Sequence, residues 1–540
     1  MGFSMYINKI LLFGCVSLAL ASCGGGSKYL TTKYNNVATT TPTDIQETYL
    51  YSTSLYGSDN GGRSANIAVL LPMSGEAKNI GNNIKTSIET AFLRKPKQSI
   101  KVSFYDVSGK NSKDAIYSAL SSNPDIIIGP LFAEDAKTLR NAKASKTPAI
   151  SFTSDVNALG DGVMTINLIP TQSVEAIVQQ MKKDGANNMI ILAPNDNSGK
   201  TMVYTADIAS DTYNIPVKGL FYYTPGDPDS IKDVSMRASM YNTRNAANTR
   251  AREVLSDILT KEKLDSATYN NLNKQLEKIS RNETLGDLPY DAILFLGNGE
   301  DSKTLSSFLR YYGIGNRDVA FYGTTLWQGS DIASDFTMSG AKYATLPEIS
   351  NNFVSLYSMV SGAEPDLLSA FGYDAANLAL GAIYAQSSLE DYLYNPNGYI
   401  GTSGIFRIQQ SGESERALRI MGLNGSGTPQ TLQEAKTNFL TPIYEIHTTN
   451  HKEIKEHELS TRGVNPGDYI KIPEYLKRKS EYRTKTIGAN YVSDDNTVKT
   501  DEPIQIYAAD DQETVSNPEY ESVKKDAVSR KYIDSVEITE

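Results

Sequence analysis

Short apolar runs alternate with amphipathic segments along most of this chain, and this alternation constrains the fold more than any other feature. Residues 67–71 (IAVLL) are bounded by polar residues and a proline, which is typical of a strand buried inside a parallel sheet. In the segment that follows, Ile84, Ile88 and Ala91 recur at helical spacing. Because the same succession returns roughly every 25 residues, it predicts βαβ units and a parallel sheet with helices on both faces.

The alternation runs twice along the chain, first up to residue 168 and again from residue 174. The predicted strands are residues 67–71, 102–105, 125–128, 148–151, 163–168, 189–193, 217–222, 292–296 and 319–322. Two successive runs predict an α/β domain over residues 65–440 with two lobes, each a parallel sheet flanked by helices. Ligands of such sheets bind outside the carboxyl ends of the strands, so a site is expected in the cleft between the lobes.

Two stretches depart from this pattern. Residues 225–288 are rich in Arg, Asn, Ala and Lys. Their apolar residues recur at helical spacing, as Val254, Leu255, Ile258, Leu259 and Leu264. This stretch predicts an inserted helical hairpin, which is either a solvated excursion without a role or a docking surface for another protein. Residues 441–540 are predicted to be a C-terminal extension that is largely disordered.

The N-terminus carries the features of a bacterial export signal. Residues 10–21 form an apolar run that is too short for a membrane-spanning helix and suits the central region of a signal peptide. The run ends in residues 20–23 (LASC), which match the lipobox of bacterial lipoproteins. Residues 1–22 are therefore predicted to be removed and Cys23 to be lipidated. Cys15 is lost with the signal, so no disulfide remains.

The segment after the lipid anchor predicts a tether and a location. Residues 23–64 are rich in Gly, Ser, Thr, Asn and Tyr without sustained apolar periodicity, which is typical of a flexible tether. The residue after the cysteine is Gly24 and not an aspartate, which favours export to the outer membrane. The protein is expected in the periplasm, anchored to the membrane through the Cys23 lipid.

Charge and motifs argue against several function classes. The formal net charge is −10, and no basic block is present that would bind nucleic acid. His447 and His451 have the i, i+4 spacing of a zinc site, but the other residues of a metalloprotease motif are missing. Residues 194–201 (PNDNSGKT) are one residue from a phosphate-binding loop, yet Pro194 replaces its first glycine. We expect no enzyme activity, no metal and no cofactor.

Loops at the ends of the predicted strands provide the candidate ligand site. They are rich in small hydroxyl residues and precede helices, whose free N–H groups bind carboxylates and other anions. The candidate residues are Ser74, Gly75, Leu131, Phe132, Ser151, Thr153, Asp155, Asn195, Asp196, Thr325 and Trp327. Trp327 is the only tryptophan of the chain and suits core packing equally well.

Several of these segments resemble a known superfamily. Residues 67–92, 124–131 and 371–375 are similar to the leucine-binding type I periplasmic proteins. A narrower resemblance, to the LppC-like penicillin-binding protein activators, lies in residues 150–155, 160–163, 322–327 and 404–408, in Arg416 and in the insertion. The resemblance covers roughly residues 65–425 and implies a two-lobed type I periplasmic-binding fold.

The resemblance leaves two functions open. One is a regulatory lipoprotein, tethered in the outer membrane, that stimulates a peptidoglycan synthase. The other is a solute receptor that delivers amino acids or similar small polar ligands from its cleft to an ABC importer. Amino-acid receptors have small residues where this chain has Phe152 and Asp155, and Asp155 would repel an α-carboxylate but could hold an ammonium.

Overall fold

The computed structural model describes residues 65–94, 100–142, 147–315, 318–385, 387–425, 427–440, 443–444, 453–460 and 464–477. The sequence predictions for the signal peptide, Cys23, the tether, His447 and His451 lie outside these residues, as does most of the predicted C-terminal extension. Within the described residues the chain forms two lobes, each built on its own sheet.

Lobe one is built on five parallel strands in the order β2-β1-β3-β4-β5. They are β1 (Ala65–Leu71), β2 (Ile100–Asp106), β3 (Ile126–Ile128), β4 (Ala149–Ser151) and β5 (Val163–Thr165). The first four are connected by α1 (Lys78–Leu93), α2 (Ser112–Ser121) and α3 (Ala133–Ala142). Both faces of β1 are covered, because Val69 and Leu71 pack into one apolar cluster and Ala68 and Leu70 into another. This double burial is what the unbroken apolar run predicted.

Lobe two contains a larger sheet whose first five strands in chain order are also parallel. They are β6 (Met189–Pro194), β7 (Val217–Tyr223), β8 (Ala292–Phe295), β9 (Ala320–Gly323) and β10 (Lys342–Thr345). Its helices are α4 (Pro170–Lys183), α5 (Asn197–Tyr213), α6 (Pro228–Ala238), α7 (Tyr241–Lys261), α8 (Ser266–Ser280) and α9 (Gly299–Tyr311). The predicted strands of both lobes are present, although β5 ends at Thr165 and not at residue 168.

The chain crosses between the lobes three times. It leaves lobe one after β5 and returns after β10 into α10 (Asn351–Ser361) and α11 (Leu367–Tyr384), which pack on α1. There follow α12 (Leu389–Leu393) and a small antiparallel sheet of β11 (Tyr399–Gly401), β12 (Gly404–Ile408) and β13 (Ser414–Arg416). The third crossing leads from β13 back to lobe two.

The second sheet is mixed, which corrects the prediction of a purely parallel sheet in each lobe. After the third crossing, β14 (Arg419–Leu423) pairs antiparallel with β10, and β15 (Pro429–Gln433) pairs antiparallel with β14. The direction follows from the path of the chain: β10 runs toward the crossing point and β14 runs away from it.

The inserted stretch consists of three helices and not two. Helix α6 buries Ile231, Val234 and Ala238 in the core of lobe two, so residues 228–238 belong to that lobe, contrary to the prediction of one hairpin over residues 225–288. A turn at Met240, with φ of 51°, separates α6 from α7. Helices α7 and α8 then form the hairpin around an apolar cluster of their own, which includes Leu255.

The described part of the C-terminal extension packs on lobe two. We call residues 453–460 and 464–477 the C-terminal strap. His457 pairs with Leu220 on the open edge of β7 through two backbone hydrogen bonds of 2.9 and 3.1 Å. Further along lie α13 (Pro466–Tyr469) and α14 (Glu474–Lys477), and Ile470 and Leu476 are buried in the hairpin cluster. The strap therefore covers a sheet edge and one side of the hairpin.

Candidate functional site

A cavity of about 550 Å³ lies between the lobes. Lobe one contributes Lys137 of α3 and residues 154–157, which follow β4. Lobe two contributes the first turns of α5, and residues 169–171 of the first crossing form part of the wall. Glu453 of the C-terminal strap completes the lining. The cavity is thus at the carboxyl ends of strands from both sheets, where ligands of such folds bind.

The carboxylate of Asp155 is already engaged within lobe one. Its Oδ1 accepts the backbone N–H of Asn157 at 2.9 Å, and its Oδ2 lies 3.2 Å from Nζ of Lys137. Lys137 also lies 3.0 Å from Glu134. Burial acts to raise the pKa of Asp155, but the Asn157 amide and Lys137 outweigh burial, so this pKa lies below its usual value. The ammonium group that pairs with Asp155 is therefore that of Lys137, from the same lobe, and not that of a ligand.

The lobe-two wall of the cleft is paired in the same way. Nζ of Lys200 lies 2.9 Å from Oε1 of Glu453. The first turn of α5 is capped by Asp196, whose Oδ1 accepts the N–H of Gly199 at 2.7 Å. An incoming carboxylate must therefore displace Glu453 or compete with Asp196. Displacing Glu453 costs little, because its side chain is 63% exposed and exposed ion pairs are worth at most about 1 kcal/mol.

Arg416 links the third crossing to the first. Its guanidinium is fully buried and donates from Nε and Nη2 to the carbonyl of Ile166 at 3.0 and 2.7 Å. It also stacks on the rings of Phe371 and Phe406, with centroids 4.1 and 4.8 Å away. Burial lowers the pKa of Arg416 to about 10 and raises the pKa of buried Asp374 to about 6, while the attraction between the two charges opposes both shifts. Separating the crossings would leave a buried charge unpaired, so this contact fixes the lobes at the hinge.

Only some of the predicted ligand residues lie at the cavity. Asp155 lines it, and Asn195 and Asp196 directly precede the part of α5 that lines it. Ser74 and Gly75 lie in an exposed loop, where Ser74 exchanges hydrogen bonds with Ser108.

Most of the remaining candidates take part in packing or local bonds. Ser151 is fully buried and donates to the carbonyl of Met164 at 2.8 Å. Thr153 is buried too, and its hydroxyl accepts the N–H of Asp155 at 3.1 Å. Outside the lining of the cavity are buried Leu131, exposed Phe132 and half-buried Thr325.

Trp327 is a core residue, which corrects its placement at the cleft. Its side chain is 0% exposed, and its Nε1 donates to Oγ of Ser302 at 2.9 Å. The ring packs against Phe295 and Tyr343, with centroids 5.8 and 5.9 Å away. The reason is local: Gly323 at the end of β9 has no side chain, and a Cβ there would come within 2.3 Å of the indole. The tryptophan therefore turns inward under the sheet.

Sequence reasoning missed three charged residues of the cavity, Lys137, Lys200 and Glu453. Lys137 lies three residues after Glu134 on the first turn of a helix, a spacing that the sequence displays. Lys200 lies inside the PNDNSGKT motif, whose resemblance to a phosphate-binding loop gives no indication of a cleft lysine. Glu453 comes from the extension beyond the predicted domain, and no local pattern connects it to the cleft.

The described residues contain neither a metal centre nor a membrane span. No group of three or more His, Cys, Asp or Glu side chains among them is arranged to hold a metal ion. Likewise, none of the described helices has both the length and the apolar composition needed to cross a bilayer.

Part of the chain matches a known protein family. Residues 37–207 match the model of the family described as "LppC putative lipoprotein". Over these residues the chain resembles the LppC lipoproteins. The resemblance predicted from the sequence is thereby confirmed.

Curated relatives agree at modest identity. The penicillin-binding protein activator LpoA of Mannheimia succiniciproducens is 27% identical over 158 residues, which are 28% of this chain and 27% of the relative. The protein of the same name from Glaesserella parasuis is 27% identical over 136 residues, 25% of this chain and 23% of the relative. The matched part of the chain thus spans about a quarter of the length of these relatives.

The fold agrees with that of a solved structure. A structure described as "a putative branched-chain amino acid ABC transporter from Rhodospirillum rubrum" covers 68% of this chain and 100% of its own, with a TM-score of 0.51 and 16% identity. The C-domain of LpoA from Haemophilus influenzae, described as a regulator of PBP1A, covers 68% of this chain and 100% of its own, with a TM-score of 0.46 and 17% identity. The predicted two-lobed type I periplasmic-binding fold is confirmed.

Proposed function

We propose that this protein is a periplasmic lipoprotein that activates a peptidoglycan synthase of the penicillin-binding protein class. The observation that carries the proposal is the LppC match over residues 37–207, together with relatives named penicillin-binding protein activator. The protein acts by contact with the synthase and not by catalysis.

The hairpin of α7 and α8 supports a docking role. Its apolar cluster is separate from the cores of the two lobes, so the hairpin can present a surface without being required for the packing of the sheets. Its outer face carries exposed Lys274 and Lys278 at i, i+4 on α8, and neither side chain forms an ion pair with a described residue. This basic pair suits an acidic partner surface.

The state of the cleft is compatible with regulation and sets only a small barrier to solute capture, because the exposed Lys200–Glu453 pair costs at most about 1 kcal/mol to break. Both lysines of the cavity, Lys137 and Lys200, are held in ion pairs with acids of the same chain. A small anionic ligand would have to break one of these pairs. A protein that binds a synthase through lobe two does not need the cleft to be empty.

The decisive experiment measures glycan polymerisation by a purified penicillin-binding protein of the same organism. Residues 24–540 are added as a soluble protein, and stimulation of the rate is expected. Reversing the charge of α8 with Lys274→Glu and Lys278→Glu should reduce stimulation about tenfold, since like-charge contacts at an interface cost several kcal/mol.

The matched control is Lys110→Glu with Lys113→Glu, which places the same change on exposed residues of lobe one. This control should stimulate like the unmodified protein. Equal loss in both double variants would point to a general charge effect and against docking by the hairpin. Absence of stimulation by the unmodified protein would refute the proposed function.

The lipid anchor is a separate part of the proposal. The lipobox supports lipid attachment at Cys23, and Gly24 after it supports the outer membrane as the location, from which the tether lets the lobes reach a synthase in the periplasm. Cys23→Ser should abolish incorporation of a fatty-acid probe and release the protein from the membrane fraction. Label retained on this variant would contradict anchoring through Cys23.

A second candidate is the solute receptor of an ABC importer. It is favoured by the volume of the cleft, about 550 Å³, which is within the range of small-molecule sites. Calorimetric titration with amino acids separates the candidates. Binding that is lost in Thr171→Ala with Asn157→Ala, both at the cavity wall, would support the receptor.

A further inference from the structure

A second groove, of about 660 Å³, is lined by residues of lobe two and shares no lining residue with the interlobe cleft. One wall is the end of α9, with Arg310 and Tyr311. The other is formed by residues 334–337, which include Phe336. Tyr311 is 69% exposed and Phe336 is 67% exposed, so two aromatic rings face solvent around one concavity. We call this the aromatic groove.

The rings of the aromatic groove are held in place by their neighbours. Tyr311 packs edge-on against Tyr312 at a centroid distance of 5.1 Å, and Tyr312 packs at 4.9 Å against Tyr241, the first residue of the hairpin. Cζ of Arg310 lies 5.2 Å from the centroid of Phe336. A platform that is ordered before binding loses less entropy when a ligand arrives. The rings of Tyr311 and Phe336 are therefore preorganised for binding.

The polar lining completes the chemistry. Arg310 provides positive charge and forms no ion pair with a described residue, whereas Lys303 is already paired with Glu300 at 2.9 Å. Ser307 and Ser334 provide hydroxyl groups, and Asp335 provides a carboxylate. The lining contains no aliphatic side chain. A hot spot for a protein partner is usually a desolvated pocket, whereas this groove is shallow, aromatic and rich in hydroxyls.

We propose that the aromatic groove binds an acidic saccharide chain. The C–H faces of sugar rings pack on Tyr311 and Phe336, the sugar hydroxyls bond to Ser307 and Asp335, and carboxylates of the saccharide pair with Arg310. The proposed function supplies the identity of the polymer: a lobe held beside a peptidoglycan synthase meets glycan strands, and where an amidase has removed the stem peptides their muramic acid units carry free lactyl carboxylates. The site would keep the protein on peptide-free strands near its partner.

The test titrates soluble glycan strands, freed of their peptides by an amidase, into the Cys23→Ser protein. Tyr311→Ala and Phe336→Ala should each weaken binding about tenfold, the order of one lost aromatic contact. Arg310→Gln should weaken binding and make it less sensitive to salt. Both aromatic positions are exposed, so folding is expected to be retained. Tyr117→Ala, at a 47% exposed tyrosine of lobe one, is the matched control and should bind like the unmodified protein.

The outcomes are distinct. Weakening at Tyr311 and Phe336 with the control intact supports the site. Absence of binding by the unmodified protein, or equal binding by all variants, overturns it. If the aromatic variants keep their glycan affinity but lose stimulation of the synthase, the groove is a protein contact and the saccharide proposal fails while the proposed function stands. If glycan binding is found but no synthase is stimulated, the proposed function fails and the saccharide site stands.

Discussion

The sheet of lobe one is built from five parallel strands with short connections, whereas lobe two carries the α7–α8 hairpin, two antiparallel edge strands and the C-terminal strap. The family match covers residues 37–207 and ends inside α5. Every one of these additions lies beyond it. The aromatic groove lies beyond it as well.

This difference between the lobes indicates which lobe presents surfaces for a partner. The matched residues build the first sheet and the whole lining of the cleft except Glu453. Beyond the match, lobe two exposes Lys274 and Lys278 on α8 and the aromatic groove. Contacts that are particular to this protein are therefore expected on lobe two.

The largest effect is expected at the hinge that joins the two lobes. Arg416→Ala removes a buried guanidinium and leaves the Ile166 carbonyl and Asp374 without it. It should lower the free energy of unfolding by about 3–5 kcal/mol and separate the melting of the lobes into two steps. Urea denaturation followed by tryptophan and tyrosine fluorescence measures both. Arg310→Ala, at an exposed arginine, is the control, with a change within about 0.5 kcal/mol. A single unchanged transition for Arg416→Ala would show that the hinge does not depend on this contact.

The next largest effect distinguishes α6 from the α7–α8 hairpin. The sequence predicted both as parts of one insertion. Ile231→Ala on α6 should lower global stability by about 2–5 kcal/mol, because the residue belongs to the core of lobe two. Leu255→Ala on α7 removes a similar volume from the hairpin cluster, so it should open the hairpin locally and leave the lobes folded. Hydrogen exchange by mass spectrometry distinguishes the two. Equal loss of protection throughout lobe two in both variants would make the hairpin part of that core.

A smaller effect concerns the strap on the far side of the hairpin. Leu476 is 1% exposed and packs in the hairpin cluster, while its neighbour Tyr475 is 53% exposed. Leu476→Ala should lower the local stability by about 2 kcal/mol, the lower end of the range for truncating a buried leucine. The loss is small because the end of a short segment can move into the cavity that the truncation leaves. Faster cleavage of α7–α8 by a protease measures this loss, and Tyr475→Ala is the control. Cleavage at the unchanged rate would mean that the strap does not support the hairpin.

The alternation of apolar runs was enough to predict the parallel strands, because burial on both faces leaves a signal within each strand. The antiparallel strand β14 has no such signal, since its direction depends on the third crossing and not on its own residues. In the cleft, Asp155 could be predicted from its strand-end position. Glu453 could not, because it reaches Lys200 from about 250 residues further along the chain. Trp327 was ambiguous from sequence, and the space left by Gly323 decided its position.

The smallest effect depends on pH and compares Glu413, which directly precedes β13, with Glu415, which lies within β13. Glu413 is 7% exposed, and burial raises its pKa to about 7 from 4.5. The folded state therefore holds a proton that the unfolded state releases, so this residue's contribution is complete below pH 4.5 and is lost as the pH rises through 7.

Glu413→Gln removes this titration. The variant should match the unmodified protein at pH 4 and be more stable by about 1–2 kcal/mol at pH 8. The control is Glu415→Gln, because Glu415 is equally buried but pairs with Arg407 at 2.7 Å, so its neutralisation should destabilise the protein at pH 8. Asp374 is present in the unmodified protein and in both variants, so its contribution to the pH dependence of stability cancels in the comparison. Thermal melts at the two pH values provide the measurement. Loss of stability in Glu413→Gln at pH 8 would show that the carboxylate has a partner in the folded protein, and that burial alone does not govern its pKa.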